Sequence, residues 1–496
     1  MSQPSTTTRT DDLVEVSTAA GRVRGRWRDI PDSAARSAAF LGIPFAQPPV
    51  GALRFAAPVP VEPWEGVRDA LALGATAQRG DPGATLIPEP SVPGEATLNV
   101  NVYTPDPSPD AGLPVIVWIH GGGYYAGSPA SPWYDGRSFN RDDVVLVVIS
   151  YRLGFDGFGR IEGAPSNRGV RDWLLALEWV QENIAAFGGD PGRVTVAGQS
   201  AGGGAVQTLL GMPTAQHLFH AAYALSPATA DVATRRAEEL SRRIASAGGV
   251  DATRDGFASL GEERLLALQK QATEPRGAAA VRVLDEGLGL GPAIDDDLIP
   301  RPTLEALATG VGADKPLVVG ATDDEFSMVV SAAENALRWL PLRLILGKVG
   351  LRGERRKAYL AANADVVARG HAAVLGRYIT DRIFKSTVVT AADARAGAPT
   401  WVYRYAFAST TMRSAVHCVD VPFWFDCLDA SKVETLTGAN PPQALADATH
   451  AAAVAFARAG DPGWPSWSAA PGTTRVFDRA SSPVVPDGYA SVRPLL

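Results

Sequence analysis

A hydroxyl nucleophile is suggested where the run Val194-Thr195-Val196-Ala197 breaks into Gly198-Gln199-Ser200-Ala201-Gly202. A β-branched segment meeting Gly-x-Ser-x-Gly predicts a strand that turns sharply into a helix with Ser200 at the apex. The flanking glycines are needed because the two backbones pass too close for side chains. In a chain of 50 glycines the pentapeptide alone is weak, so the rest of an acyl-transfer site must be found in order. Upstream, the apolar run Pro114-Val115-Ile116-Val117-Trp118-Ile119 leads into His120-Gly121-Gly122-Gly123. Consecutive glycines leave backbone N–H groups unshielded, so Gly122 and Gly123 are predicted to aim donors at a developing oxyanion. The amide of Ala201, just past the serine, is predicted to add a third. One such donor is typically worth about 2.7–4 kcal/mol in the transition state.

An activated serine needs a base and a group to orient it. Of six histidines, His120 belongs to the glycine loop, and His371 and His450 fall in alanine-rich helical contexts. His217 and His220 have His-x-x-His spacing but no third ligand nearby, so a packing or surface role is expected and no metal. His417 follows a strand pattern at Trp401 to Phe407 and a polar loop, which makes it the predicted base. Two acid pairs compete, Asp285-Glu286 and Asp324-Glu325. Only the second comes directly after a buried-strand run, Pro316 to Gly320, and open α/β sheets build their sites outside the carboxyl ends of strands. Glu325 is therefore the expected acid, and Glu286 a solvated loop charge. The order Ser200, Glu325, His417 is that of an α/β-hydrolase triad.

The elements that must hold these groups follow from the pattern. Strands are predicted at 114–119, 144–150, 193–197, 316–320 and 401–407; the wholly apolar 144–149 suits a parallel sheet covered on both faces. An amphipathic helix is predicted over about 171–187, stopped by Gly188-Gly189, and an alanine-rich one over 443–458. Residues 326–395 read as mostly helical. Their apolar cluster, Leu337, Trp339, Leu340, Leu342, Leu344 and Ile345, is expected to pack in the core, with a substrate-pocket wall as the alternative.

At 496 residues the length alone suggests several domains, but site pieces scattered from 120 to 417 favour one catalytic domain over 13–496 after a disordered tail at 1–12. The net charge of −7, without basic runs, argues against a nucleic-acid partner. The polar start lacks the apolar core of a secretory signal, and Ala111–Tyr134 is too rich in glycine, proline and polar residues to span a membrane. Two cysteines, Cys418 and Cys427, exclude a disulfide framework and suit a reducing compartment. A cytoplasmic enzyme without membrane association is expected. No cofactor motif is present: no Gly-x-Gly-x-x-Gly follows a strand, and Gly347-Lys348 lacks the rest of a phosphate loop.

Further segments complete the picture: Phe40-Leu41-Gly42-Ile43-Pro44-Phe45-Ala46 with Pro48-Pro49-Val50-Gly51, Tyr151-Arg152-Leu153-Gly154, and Trp179-Val180-Gln181-Glu182-Asn183-Ile184 running into Phe187-Gly188-Gly189-Asp190-Pro191. With them the chain resembles, from about Gly21 to Trp467, the type B carboxylesterases of the cholinesterase-like, para-nitrobenzyl esterase-like family. The resemblance implies an α/β-hydrolase fold, a large mostly parallel sheet flanked by helices with a helical region over the cleft. It also implies a carboxylesterase acting on small-molecule esters, with Ser200, Glu325 and His417 as triad and Gly122, Gly123 and Ala201 as oxyanion hole. Gln199 stands where many relatives have glutamate, Thr97 where a disulfide cysteine is frequent, Phe326 where glycine follows the acid, and Trp173 where glutamine is common. The family also includes non-catalytic adhesion molecules, but those typically lose the nucleophile, which is present here. Cys418 is expected to be an inert thiol whose side chain points away from that of His417. The oligomeric state is left open.

Overall fold

The computed structural model describes residues 12–78, 83, 85–273, 284, 287–331 and 333–496. Its frame is one thirteen-stranded sheet. The N-terminal edge is antiparallel: β1 (Leu13–Ser17), β2 (Arg22–Asp29), β3 (Arg36–Pro44) and β5 (Asn99–Thr104), with β4 (Val67–Asp69) parallel to β2 off the main path. The centre comprises β6 (Leu113–Ile119), β7 (Val145–Ile149), β8 (Gly189–Gln199), β9 (Ala221–Leu225), β10 (Leu317–Thr322), β11 (Thr400–Tyr405) and β12 (Thr474–Phe477), followed at the edge by β13 (Val484–Val485). Neighbours from β7 through β6, β8, β9, β10 and β11 to β12 are all parallel.

β7 and β9 are buried at every position, as a sheet covered on both faces requires. One core layer gathers Val115, Val117, Ile119, Val145, Val147 and Ile149 with the helix Arg168–Asn183, whose Trp173, Leu177 and Val180 point inward. The opposite layer takes the alternate side chains Ile116, Trp118, Leu146 and Val148, packed against Trp424, Phe425 and the helix Gln443–Ala459.

All five predicted strands are present, with ends displaced by a few residues, and both predicted helices form. The first ends as an α-helix at Asn183 and tightens into a 3₁₀ turn, Ile184–Phe187, before Gly188. Residues 327–394 are largely helical, as expected. The apolar cluster is divided instead of packing as a unit. Ile345 is buried and Leu342 packs on a small core, while Trp339, Leu340 and Leu344 face solvent. The seven-residue helix Leu342–Lys348 buries only the side that carries Ile345 and Leu346, which leaves Leu344 outside, and Trp339 and Leu340 lie in the turn that precedes it. No helix among the described residues is long and apolar enough to cross a membrane.

Candidate active site

β8 runs directly into the helix Ala201–Leu210, and Ser200 sits at the junction with φ 59° and ψ −121°. A non-glycine residue at positive φ costs of order 1–3 kcal/mol, and the surrounding contacts hold it there. Ser200 N–H donates to Leu225 O at 2.9 Å, and Ser200 O accepts from Gly204 at 2.8 Å and Ala228 at 2.9 Å. A Cβ on Gly202 would lie 2.0 Å from Ile119 O, and one on Gly198 would lie 2.6 Å from the carbonyl of Gly202. Glycine is thus obligatory on both sides of the turn.

β6 ends beside this turn and delivers His120-Gly121-Gly122-Gly123, with Gly122 at φ 112° and Gly123 at φ 62°. His120 is buried, stacks on Tyr151, and is held neutral because burial lowers it to about 4. Tyr124 packs inward, donating to Ala228 O at 3.1 Å, and Tyr125 is largely exposed.

Glu325 lies just beyond β10 and is fully buried; its Oε1 accepts from Thr322 N–H at 2.8 Å and its Oε2 meets His417 Nδ1. A main-chain bond, His417 N–H to Glu325 O at 2.9 Å, fixes the two loops to each other. Burial disfavours the imidazolium, the Cys418 sulfur and the Glu325 carboxylate favour it, and the net direction is upward from 6.5. Cys418 is itself pushed above 9.0 by burial, so near neutrality it is a thiol and Glu325 supplies the negative charge. The hydrogen bond recorded at His417 Nε2 is with Gln199 Nε2, at 3.2 Å, not with Ser200. Phe326 and Phe384 pack their rings on His417 at 5.1 and 5.0 Å, so the residue in the place of the usual glycine braces the imidazole.

A cavity of about 640 Å³ brings together Gly122, Gly123, Ser200 and His417, with walls that include Leu288, Phe326 and Phe384. Glu325 stands behind His417, and Ala201 begins the helix just past the serine. Its N–H is one of those a helix start leaves without an intrahelical acceptor. Asp285 and Glu286 lie outside the described residues. Cys418 shares the cavity with His417, so adjacency in sequence does not separate them. Its positive φ of 68° reverses the chain there and returns the thiol to the same wall.

Sequence reasoning missed Glu89. It lines the cavity, its Oε2 is buried with no hydrogen-bond partner among the described residues, and burial pushes it up to about 7. It belongs to a loop with no periodicity, so only its charge among apolar neighbours, Leu86-Ile87-Pro88, could have drawn notice. Arg152 and Asp172 pair in the core at 2.7 Å, and Asp190 accepts from Gly192 N–H at 2.8 Å; both arrangements are structural.

This geometry has close counterparts. The model of the carboxylesterase family matches residues 11–478. The para-nitrobenzyl esterase of Bacillus subtilis is 34% identical over 460 residues, 88% of this chain and 90% of that protein. The phenmedipham hydrolase of Pseudarthrobacter oxydans is 33% identical over 471 residues, 87% of this chain and 89% of the relative. A solved carboxylesterase from Geobacillus stearothermophilus superposes with a TM-score of 0.81 at 30% identity, covering 97% of this chain and 99% of that one. Likeness of this extent, in sequence and in three dimensions, leaves one family open to the α/β-hydrolase fold described above: the chain belongs to the carboxylesterases and is an enzyme that hydrolyses carboxylic esters.

Proposed function

We propose that the protein is a serine esterase working through an acyl-enzyme, with Ser200 as nucleophile, His417 as base and Glu325 as its orienting acid. The observation that carries this reading is the convergence of Ser200, His417, Gly122 and Gly123 on one cavity, with Glu325 bound to the far nitrogen of the imidazole. Glu325 fixes the proton on Nδ1, which leaves the Nε2 lone pair to take the serine proton as Oγ attacks the ester carbonyl. The N–H groups of Gly122, Gly123 and Ala201 receive the oxyanion. Collapse of the tetrahedral intermediate expels the alcohol, protonated from Nε2. Water, deprotonated by the same nitrogen, then releases the acid and restores Ser200.

The catalytic unit in this reading is 13–496, because the sheet takes strands from Leu13 through to Val485. The apolar walls of the cavity favour neutral esters of short to medium acyl length. Two buried, unpaired cysteines support a reducing, cytoplasmic setting. A non-catalytic binding role is disfavoured by the same convergence of groups.

The test is Ser200→Ala. Hydrolysis of p-nitrophenyl butyrate should fall on the order of 10⁶-fold in kcat. A fluorophosphonate should label Ser200 in the wild type and nothing in the variant. A label at another residue, or undiminished turnover, would sink the assignment.

A further inference from the structure

The chain carries −7 overall, yet residues 338–369 hold eight cationic side chains against two carboxylates, a surplus of six. Among the described residues, ion pairs are formed by Lys357 (with Glu354, 2.7 Å) and Arg369 (with Asp324, 3.3 Å). Arg338, Arg343, Lys348, Arg352, Arg355 and Arg356 have no carboxylate partner among the described residues, and the last three bond to main-chain carbonyls instead.

The same segment exposes large apolar side chains. Trp339 is 78% exposed, Leu344 56% and Leu340 49%. The helix Leu342–Lys348 buries Ile345 and turns Leu342 and Leu346, at i and i+4, onto a cluster with Leu351, Tyr359 and Tyr378. Its outer side presents Leu344 between Arg343 and Lys348, continuing the row begun by Arg338, Trp339 and Leu340. Leu284 packs on that inner cluster and also lines the catalytic cavity, so the cluster beneath this face adjoins the cleft wall.

We propose that this face docks onto an anionic lipid surface. Interleaved tryptophan, leucine and basic residues suit a boundary where acyl chains and phosphate headgroups alternate. Apolar exposure of this kind marks an interaction site. A twofold dimer through the same face would set its cations against one another, because an isologous contact meets its own copy. The absence of a membrane span, from which no membrane partner was expected, does not bear on a peripheral contact of this sort.

Co-sedimentation of the full chain with vesicles tests it. The protein should pellet with equimolar phosphatidylcholine and phosphatidylglycerol, remain in solution with phosphatidylcholine alone, and be released by salt. Each basic residue near such a surface contributes roughly fivefold, so Arg338→Glu with Arg343→Glu and Lys348→Glu should weaken partitioning on the order of a hundredfold. Trp339→Ser with Leu344→Ser should also lose binding. Both variants should keep wild-type turnover of dissolved p-nitrophenyl acetate, since none of these residues lines the cavity; that readout separates docking from catalysis. Equal pelleting with both vesicle types, or none with either, overturns the proposal. So does a dimer in light scattering that the Trp339/Leu344 variant converts to monomer.

Discussion

Gln199 Nε2 stands 3.2 Å from His417 Nε2, the atom that the proposed reaction needs as proton acceptor. With Glu325 at Nδ1, the neutral ring presents a lone pair at Nε2, and the amide donates to it. Gln199 therefore stabilises the neutral imidazole and holds the position that the Ser200 proton must take. It is a positioning residue whose effect is read in the pH profile. Since His417 must be neutral to act and its pKa lies well above 6.5, kcat/KM should rise with pH to a midpoint above that value. The other groups facing the ring are Glu325, Cys418 and Asp420, and Asp420 is itself pushed up to about 7 by burial and by Glu325. Gln199→Glu replaces the donor by a charge beside Nε2, so the midpoint should climb by about 1–3 units. Gln199→Ala should raise it less. A fall in Gln199→Ala would mean that the amide oxygen, not the nitrogen, faces the ring.

The two acid pairs are separated by substitution. Glu325→Gln removes the charge that stabilises the imidazolium and fixes its tautomer, for which a loss on the order of 10⁴ in kcat is the precedent. Glu286→Gln should stay near the wild type. Comparable losses in both, or the reverse ranking, would show that the acid is misassigned.

Much of this site could be read from the chain because strained turns need particular residues. Only glycine tolerates the contact between Gly202 and Ile119 O, so the elbow leaves a mark in sequence. β10 was legible from its apolar run, and with it the place of Glu325. β9 was not read: Ala221-Ala222-Tyr223-Ala224-Leu225 has no β-branched residue, and its strand state comes from lying between β8 and β10. The partner of His417 Nε2 was equally hidden, since it depends on a side-chain torsion and not on residue type. Trp339 and Leu344 misled for a related reason: apolar character says what gains from burial, but the shape of the body decides which face is covered.

Away from the chemistry, Arg152 and Asp172 fasten the loop after β7 to the helix Arg168–Asn183. Asp172 accepts from Arg152 Nε and Nη2 and from its main-chain N–H, and both side chains are almost completely buried. Asp172→Ala leaves a cation stranded in the core, at a cost of about 3–5 kcal/mol. Urea unfolding should show that loss as a lower midpoint with an unchanged slope. A decrease under about 1 kcal/mol would mean that water reaches Arg152 and replaces the carboxylate.

Glu89 sets the last expectation, which concerns substrate charge. Gln199 places no charge beside the nucleophile, so neutral esters should be favoured over acylcholines. Glu89 faces the same cavity, and burial raises it to about 7. Below that pH it is mainly a neutral acid, and above it a carboxylate. A substrate ammonium brought within about 4–6 Å of the carboxylate would gain around 3–4 kcal/mol at an effective dielectric of about 20, before screening and desolvation. The ratio of kcat/KM for a neutral butyrate ester over butyrylcholine should therefore exceed roughly tenfold in mild acid and shrink as pH rises through about 7. Because both substrates use the same base, ionisation of His417 cancels in that ratio, and Glu89 is the group raised to about 7 that lines the cavity. Glu89→Gln should keep the ratio high and flat across the range. A flat ratio in the wild type would show that Glu89 does not face the ammonium, and a preference for butyrylcholine at every pH would place a permanent negative charge elsewhere in the cleft.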